Sequence, residues 1–312
     1  MNAAATDPRP TLALALGAGG AKGLAHIGVI EELEARGFRV AALAGASMGA
    51  LIGGVHAMGK LAVYRDWVVS LDKLDVLKLV DWTFGGGGLI KGERIMGTLR
   101  ELTGDALIED LALPYTAVAT DIERGREVWL SEGSLYQAIR ASIAIPSVFR
   151  PWRLGGRLLV DGALLNPVPV TPLIRSHARW LVAVSVDGPS QPAPPRPEPV
   201  AEEGEGVRAR IGKFLGRFLP RGEAAAKSDA EPAAPGALDL MLQSMDLMQA
   251  TLSRLRLAAY APDLLIQLPH DMAGAYEFYR AKELIELGRA AAREALDQWQ
   301  PARGMAPAAP ED

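Results

Sequence analysis

The chain's densest chemical signal is the five residues Gly45-Ala46-Ser47-Met48-Gly49. The pattern Gly-x-Ser-x-Gly suits a sharp strand-to-helix turn that lifts a serine hydroxyl clear of the backbone. Gly45 and Gly49 leave room for the strained path and for close approach of the helix. The chemistry expected of such a serine is nucleophilic attack, with a covalent intermediate. A second glycine cluster, Gly17-Ala18-Gly19-Gly20-Ala21-Lys22-Gly23, lies one strand–helix unit earlier. A loop of this kind exposes N–H groups beside a helix N-terminus and suits negative charge. The dinucleotide fingerprint fails because Lys22 stands where a third glycine is needed. The phosphate loop fails because Ala21 precedes Lys22 and Gly23 follows it. An oxyanion hole, holding charge that appears only during reaction, is the third reading, and the neighbouring serine motif favours it. The competing reading is that Ser47 merely caps a helix among packing glycines.

A serine nucleophile needs a base. Ser47, Asp161 and His270 formally match the serine–acid–histidine order of the α/β-hydrolases. In that fold, however, several strands precede the nucleophile, whereas here only one precedes the strand that delivers Ser47. His270 also has no supporting motif, and His26, His56 and His177 read as structural. That leaves a carboxylate, which is a poor base unless an apolar setting raises its pKa. Asp121, Asp161 and Asp187 each follow a β-like run, and spacing alone leaves all three open. Asp161 has the best local case: a hairpin strand delivers it, and Gly162 permits a tight turn.

The elements that must position these residues read as α/β. Thr11–Leu16 is a buried strand, Lys22–Arg36 a helix, Val40–Ala44 a strand and Ser47–Met58 a helix, the pace of parallel β-α-β units. Tyr115–Ala119 and Arg126–Leu130 follow as strands, and Ser134–Ser142 as a helix. Gly155-Gly156 marks a hairpin leading to Asp161-Gly162. Trp180–Val186 is a strand. A helix from Leu238 to Tyr260, a strand at Leu264–Leu268 and a helix from Tyr276 to Trp299 close the pattern.

Of the 312 residues, 49% are hydrophobic, which is ample for a core, and the net charge of -4 argues against a nucleic-acid partner. There are no cysteines, so disulfides, thiolate metal sites and cysteine nucleophiles are excluded. Val40–Gly59 carries no Asp, Glu, Lys or Arg, but five glycines favour a buried strand–turn–helix over a membrane span. Met1–Pro10 has no apolar core of a signal peptide, and a cytoplasmic chain is the expectation. Trp67, Val68, Leu71, Trp82 and Phe84 are either acyl-channel or plain core positions. Residues 189–237 read as a Pro-, Ala- and charge-rich insertion, and 301–312 as a flexible tail. Within the insertion, 207–219 has the pattern of a basic amphipathic helix, with Phe214 and Phe218 on its apolar side. It suits a membrane surface, a lid, or a linker helix docked on its own domain.

The Gly17–Gly23 loop, Gly45–Gly49 and Asp161-Gly162-Ala163 resemble the three motifs of the patatin-like phospholipases, in the same order. Ala119–Gly125, Arg140–Pro151 and Leu284–Gly288 resemble further segments of that family. Coverage is roughly 11–188 and 238–300, with the compact bacterial members most similar. The resemblance implies a three-layer α/β/α fold with a mostly parallel central sheet, and a serine hydrolase cleaving lipid or phospholipid acyl esters. It implies Ser47 as nucleophile, Asp161 as general base, and N–H groups of Gly19, Gly20 and Met48 as the oxyanion hole. No metal or cofactor is implied. Lys22 stands where the family more often has Arg. A non-catalytic lipid- or partner-binding protein on the same fold, and an esterase or thioesterase for small soluble substrates, are the competing classes. If 207–219 engages a membrane or covers the site, deleting residues 200–222 lowers binding to, and turnover on, phospholipid vesicles; a sedimentation assay with unchanged binding and activity removes both roles.

Overall fold

The computed structural model describes residues 9–79, 88–190 and 237–299. The 207–219 stretch, Trp82 and Phe84 lie outside these residues. The chain divides into two compact units, one of residues up to Ser190 together with those from Ser244 onward, the other Gln191–Gln243. The first unit contains Ser47 and Asp161.

Its centre is a sheet built from β1 (Thr11–Leu16), β2 (Arg39–Ala46), β4 (Tyr115–Asp121), β5 (Arg126–Leu130), β7 (Trp152–Leu154), β8 (Arg157–Asp161), β9 (Trp180–Gly188) and β10 (Leu264–Pro269). The order is β10-β9-β1-β2-β4-β8-β7, with β5 also paired to β4. The strands from β10 to β4 are parallel, and β5, β7 and β8 add antiparallel pairs. A short parallel pair, β3 (Gly88–Ile90) with β6 (Ser147–Phe149), stands apart. The helices are α1 (Ala25–Ala35), α2 (Met48–Ala57), α3 (Leu61–Ser70), α4 (Lys73–Leu79), α5 (Glu93–Thr103), α6 (Leu135–Ser142), α7 (Ala237–Ala259) and α8 (Ala281–Gln298).

The period-two side-chain alternation of a strand explains the layering. In β1, Leu12, Leu14 and Leu16 enter the larger core, with α1, α2, α6 and α8. Ala13 and Ala15 face the other way, onto Val168, Val170, Leu173 and Leu257 of α7. Burying each leucine contributes ~1.5–3 kcal/mol, so β1 is anchored mainly from the first face. Val68 is buried, and Trp67 and Leu71 pack on the same core.

Several strands and helices read from sequence are present with ends moved by a few residues. The helix expected from Lys22 begins as a 3-10 turn, Gly20–Leu24, because the glycine loop first has to bend; α1 proper starts at Ala25. The last helix starts at Ala281 rather than Tyr276, after a 3-10 turn at Phe278–Arg280. The hairpin at Gly155 and Gly156 forms with both residues at positive φ, 56° and 73°.

Helices α1 and α8 touch backbone to backbone. A Cβ on Gly288 would lie 1.9 Å from the Ala25 carbonyl oxygen. Gly288→Ala is therefore expected to cost at least ~2 kcal/mol in urea denaturation. Gly97→Ala, inside α5 with open space around it, is expected to stabilise by ~0.5–1 kcal/mol.

Candidate active site

Two strands meet end to end on one edge of β4. That strand pairs with β5 along residues 117–121, which occupies one edge. On the other edge, β2 runs parallel up to Ala46 opposite Val118, and β8 runs antiparallel to finish with Asp161 opposite Ala119. Successive places on one strand edge are thus filled by the last residue of β2 and the last residue of β8. Ser47, the next residue of the β2 chain, arrives beside Asp161.

Ser47 takes φ 54° and ψ −124°. Positive φ in a non-glycine residue is uncommon and persists where its surroundings enforce it. Here Gly49 backs against β1, where a Cβ would lie 2.2 Å from the Leu16 carbonyl oxygen. Tyr115 Oη donates to the Ala50 carbonyl at 2.7 Å and pins α2 to β4. The Ser47 side chain makes no capping bond to α2, which overturns the capping alternative. Instead its Oγ donates to Asp161 Oδ2 at 2.6 Å. Asp161 Oδ1 accepts from the Ala163 N–H at 2.8 Å, so the carboxylate starts the 3-10 turn Gly162–Leu164. Gly162 passes tightly over β4, where a Cβ would sit 2.1 Å from the Val118 carbonyl oxygen.

Ser47 is 4% exposed and Asp161 3%. Burial pushes the Asp161 carboxyl up to about 7, against the hydrogen bonds from Ser47 and the Ala163 N–H that hold it down. This is the apolar setting that a carboxylate base requires.

The glycine loop lies at the same end of the sheet. Among the described residues, the N–H groups of Gly19, Gly20 and Met48 have no protein acceptor. The loop is held by Gly17 N–H to the Val184 carbonyl, Ala18 N–H to Pro167, and Ala21 N–H to Ala275. Gly23 passes the Met48 side chain, and Gly45 passes Gly49, each at a spacing that excludes a Cβ. His26, fully buried in α1, donates from Nε2 to the Gly17 carbonyl at 2.8 Å. Burial lowers its pKa to about 4, so the ring is neutral and anchors the loop.

The remaining carboxylates and histidines go elsewhere. Asp121 accepts from the Arg124 N–H and guanidinium and closes the β4–β5 turn. Asp187 lies 3.6 Å from Lys22 Nζ, which also donates to the His270 carbonyl at 3.3 Å. His270 Nδ1 lies 3.2 Å from the Gly188 carbonyl, and His56 Nε2 lies 3.7 Å from Glu34. Two contributors escaped the sequence reading. Ser142 Oγ accepts from the Ser47 N–H at 2.9 Å, and the Ala144 carbonyl accepts from the Asp161 N–H at 3.0 Å. Both fall inside the Arg140–Pro151 segment, but no spacing rule marks them.

The patatin-like phospholipase family profile matches residues 14–174. The chain belongs to the patatin-like phospholipase family. An uncharacterised NTE family protein of Mycobacterium bovis is 39% identical across 93% of this chain and 92% of its own length. The mouse patatin-like phospholipase domain-containing protein 6 is 32% identical over 56% of this chain and 13% of its own. VipD from Legionella pneumophila aligns at 15% identity with a TM-score of 0.44, covering 93% of this chain and 67% of its own. The patatin fold expected from the motifs is present, with helices flanking a mostly parallel central sheet. Among the described residues no helix is long and apolar enough to cross a membrane.

The raised Asp161 makes a stability prediction. The folded state holds this proton more tightly than the unfolded chain does, so the wild type loses stability as pH rises from about 4 to about 7. Asp161→Asn keeps an acceptor for the Ala163 N–H and offers an amide donor to Ser47 Oγ, without the buried charge. Its stability relative to wild type should grow by on the order of 3 kcal/mol between pH 4 and pH 8 in chemical denaturation.

Proposed function

We propose that this patatin-like phospholipase family member is a serine lipid acyl hydrolase in which Ser47 is the nucleophile and Asp161 the general base. The observation that carries the reading is the 2.6 Å hydrogen bond from Ser47 Oγ to a buried carboxylate whose pKa lies near neutrality. Family membership supports lipid acyl esters as the substrate class.

The reaction runs in two halves. Ser47 Oγ attacks the acyl carbonyl carbon as its proton passes to Asp161, and the carbonyl electrons move onto oxygen. N–H groups of Gly19, Gly20 and Met48 receive that oxyanion, helped by the positive end of α2. Collapse breaks the ester bond, and the proton from Asp161 leaves with the alcohol. The acyl group now sits on Ser47. Water attacks it, giving its proton to Asp161, and the second collapse returns the proton to Ser47 and frees the fatty acid. This scheme uses no histidine. His26 and His270 each meet a backbone carbonyl, that of Gly17 and that of Gly188, which supports that assignment.

Ser47→Ala and Asp161→Asn should each lower phospholipid turnover at least ~10³-fold while remaining folded. Ser47→Ala should also abolish fluorophosphonate labelling, and His270→Ala should stay within a few-fold of wild type. Folded wild-type protein that neither labels nor hydrolyses any micellar phospholipid or short soluble ester overturns the reading and favours a binding protein. Since the base acts only when ionised, kcat/KM should rise with pH to a plateau through a midpoint near 7. A flat profile between pH 5 and 9 counts against Asp161 as the base.

A further inference from the structure

The Ser47–Asp161 pair is gripped from behind by the end of a single helix. Ser142, the last residue of α6, is wholly buried. Its Oγ accepts the Ser47 N–H at 2.9 Å and donates to the Val118 carbonyl at 2.6 Å. Two residues on, the Ala144 carbonyl accepts the Asp161 N–H at 3.0 Å. Residues 142–144 therefore hold one backbone amide of each partner, Ser142 through its side chain and Ala144 through its main chain. The third party, Val118, stands opposite Ala46 in the sheet, immediately before the place that Asp161 fills.

We propose that Ser142 is a positioning residue: its hydroxyl ties the Ser47 amide to β4 and so fixes the direction in which Ser47 Oγ meets Asp161. The inference rests on the Ser–Asp reading given above. Three features carry it. Ser47 sits at positive φ, one residue past the last β2–β4 pair, Ala46 with Val118, and among the described residues its N–H makes no backbone hydrogen bond. Ser142 supplies that bond, and its own proton is already committed to Val118, so the hydroxyl faces Ser47 as an acceptor. Finally, the Ser47 N–H is thereby turned into the protein and withdrawn from any oxyanion, whose donors must come from Gly19, Gly20 and Met48. Without the Ser142 oxygen, the Ser47 N–H loses its acceptor, the positive-φ backbone at Ser47 is held less firmly, and Oγ moves with it. Displacements of that kind lower turnover about 10- to 100-fold in positioned sites.

The test compares wild type, Ser142→Ala and Ser47→Ala in two assays. In the first, Ser142→Ala should lower kcat on a soluble ester and the rate of fluorophosphonate labelling about 10- to 100-fold, with KM within about twofold. In the second, the Asp161 carboxyl is titrated by carbon-13 NMR. The Ser47 hydrogen bond holds that carboxyl down, so its midpoint should rise in Ser47→Ala and rise part of the way in Ser142→Ala. A residue serving only packing would lower the unfolding temperature and leave both the kcat–KM split and the titration unmoved. Ser142→Ala with kcat within about threefold of wild type and an unshifted Asp161 midpoint overturns the proposal. Should Ser142→Ala fail to fold, Ser142→Cys, which keeps a weak acceptor, is carried through the same assays with smaller changes expected in the same direction. The titration needs no turnover. A shifted midpoint in a protein that hydrolyses nothing sinks the hydrolase reading and leaves the positioning role, whereas active wild type with an unaffected Ser142→Ala does the reverse.

Discussion

One edge of β4 serves two strands that run toward each other, and the Ser47–Asp161 hydrogen bond forms where they stop. Backbone pairing fixes the register on both sides, so the contact depends on sheet geometry more than on long side chains finding one another. Much else in the molecule maintains that meeting point. Gly49 lets α2 close onto β1, Gly162 lets the chain beyond Asp161 turn across β4, and Ser142 with Ala144 braces the two amides. The α1–α8 contact, backed by Arg65 and Arg289 on Glu31, builds the layer behind α1, on which the glycine loop is hung through His26.

Parts of this were legible in the residues. Period-two burial and the strand–glycine–helix alternation marked β1, β2 and the α/β class, and Gly-x-Ser-x-Gly marked the sharp strand-to-helix turn at Ser47. Gly155-Gly156 marked the hairpin that brings Asp161 into the sheet. The choice among Asp121, Asp161 and Asp187 was not legible, because all three follow strands and only tertiary register separates them. Asp121 closes a turn and Asp187 meets Lys22, while β8 alone runs into the end of β2. Ser142 was hidden for a related reason. Its partners are main-chain groups 95 and 24 residues away, and a hydrogen bond to backbone leaves no mark on the partner's identity. The onset of α1 was misplaced because apolar spacing reports the buried face of a helix and says little about how a glycine loop enters it.

Burial of Asp161 is both the site's cost and its means. A carboxylate removed from water is disfavoured as an anion, and the hydrogen bonds from Ser47 and Ala163 only partly offset that. The compromise leaves the group near neutrality, the range the proposed base requires. Local strain is accepted on the same terms, with positive φ at Ser47 maintained by the packing around it. Stability and the proposed reactivity are drawn from one set of contacts.

The pairing of a hydroxyl with a lone buried carboxylate also sets how charge travels. A serine that hands its proton to a neutral imidazole creates two opposite charges where there were none. Here, in the proposed reaction, the site carries one negative charge throughout, and it moves from the Asp161 oxygens to the acyl oxygen as the proton crosses. The pocket's task is therefore translation of an existing anion over a short path. In the same proposal backbone amides serve both ends of that path, Ala163 at its start and, at its finish, the N–H groups of Gly19, Gly20 and Met48, which have no protein acceptor among the described residues.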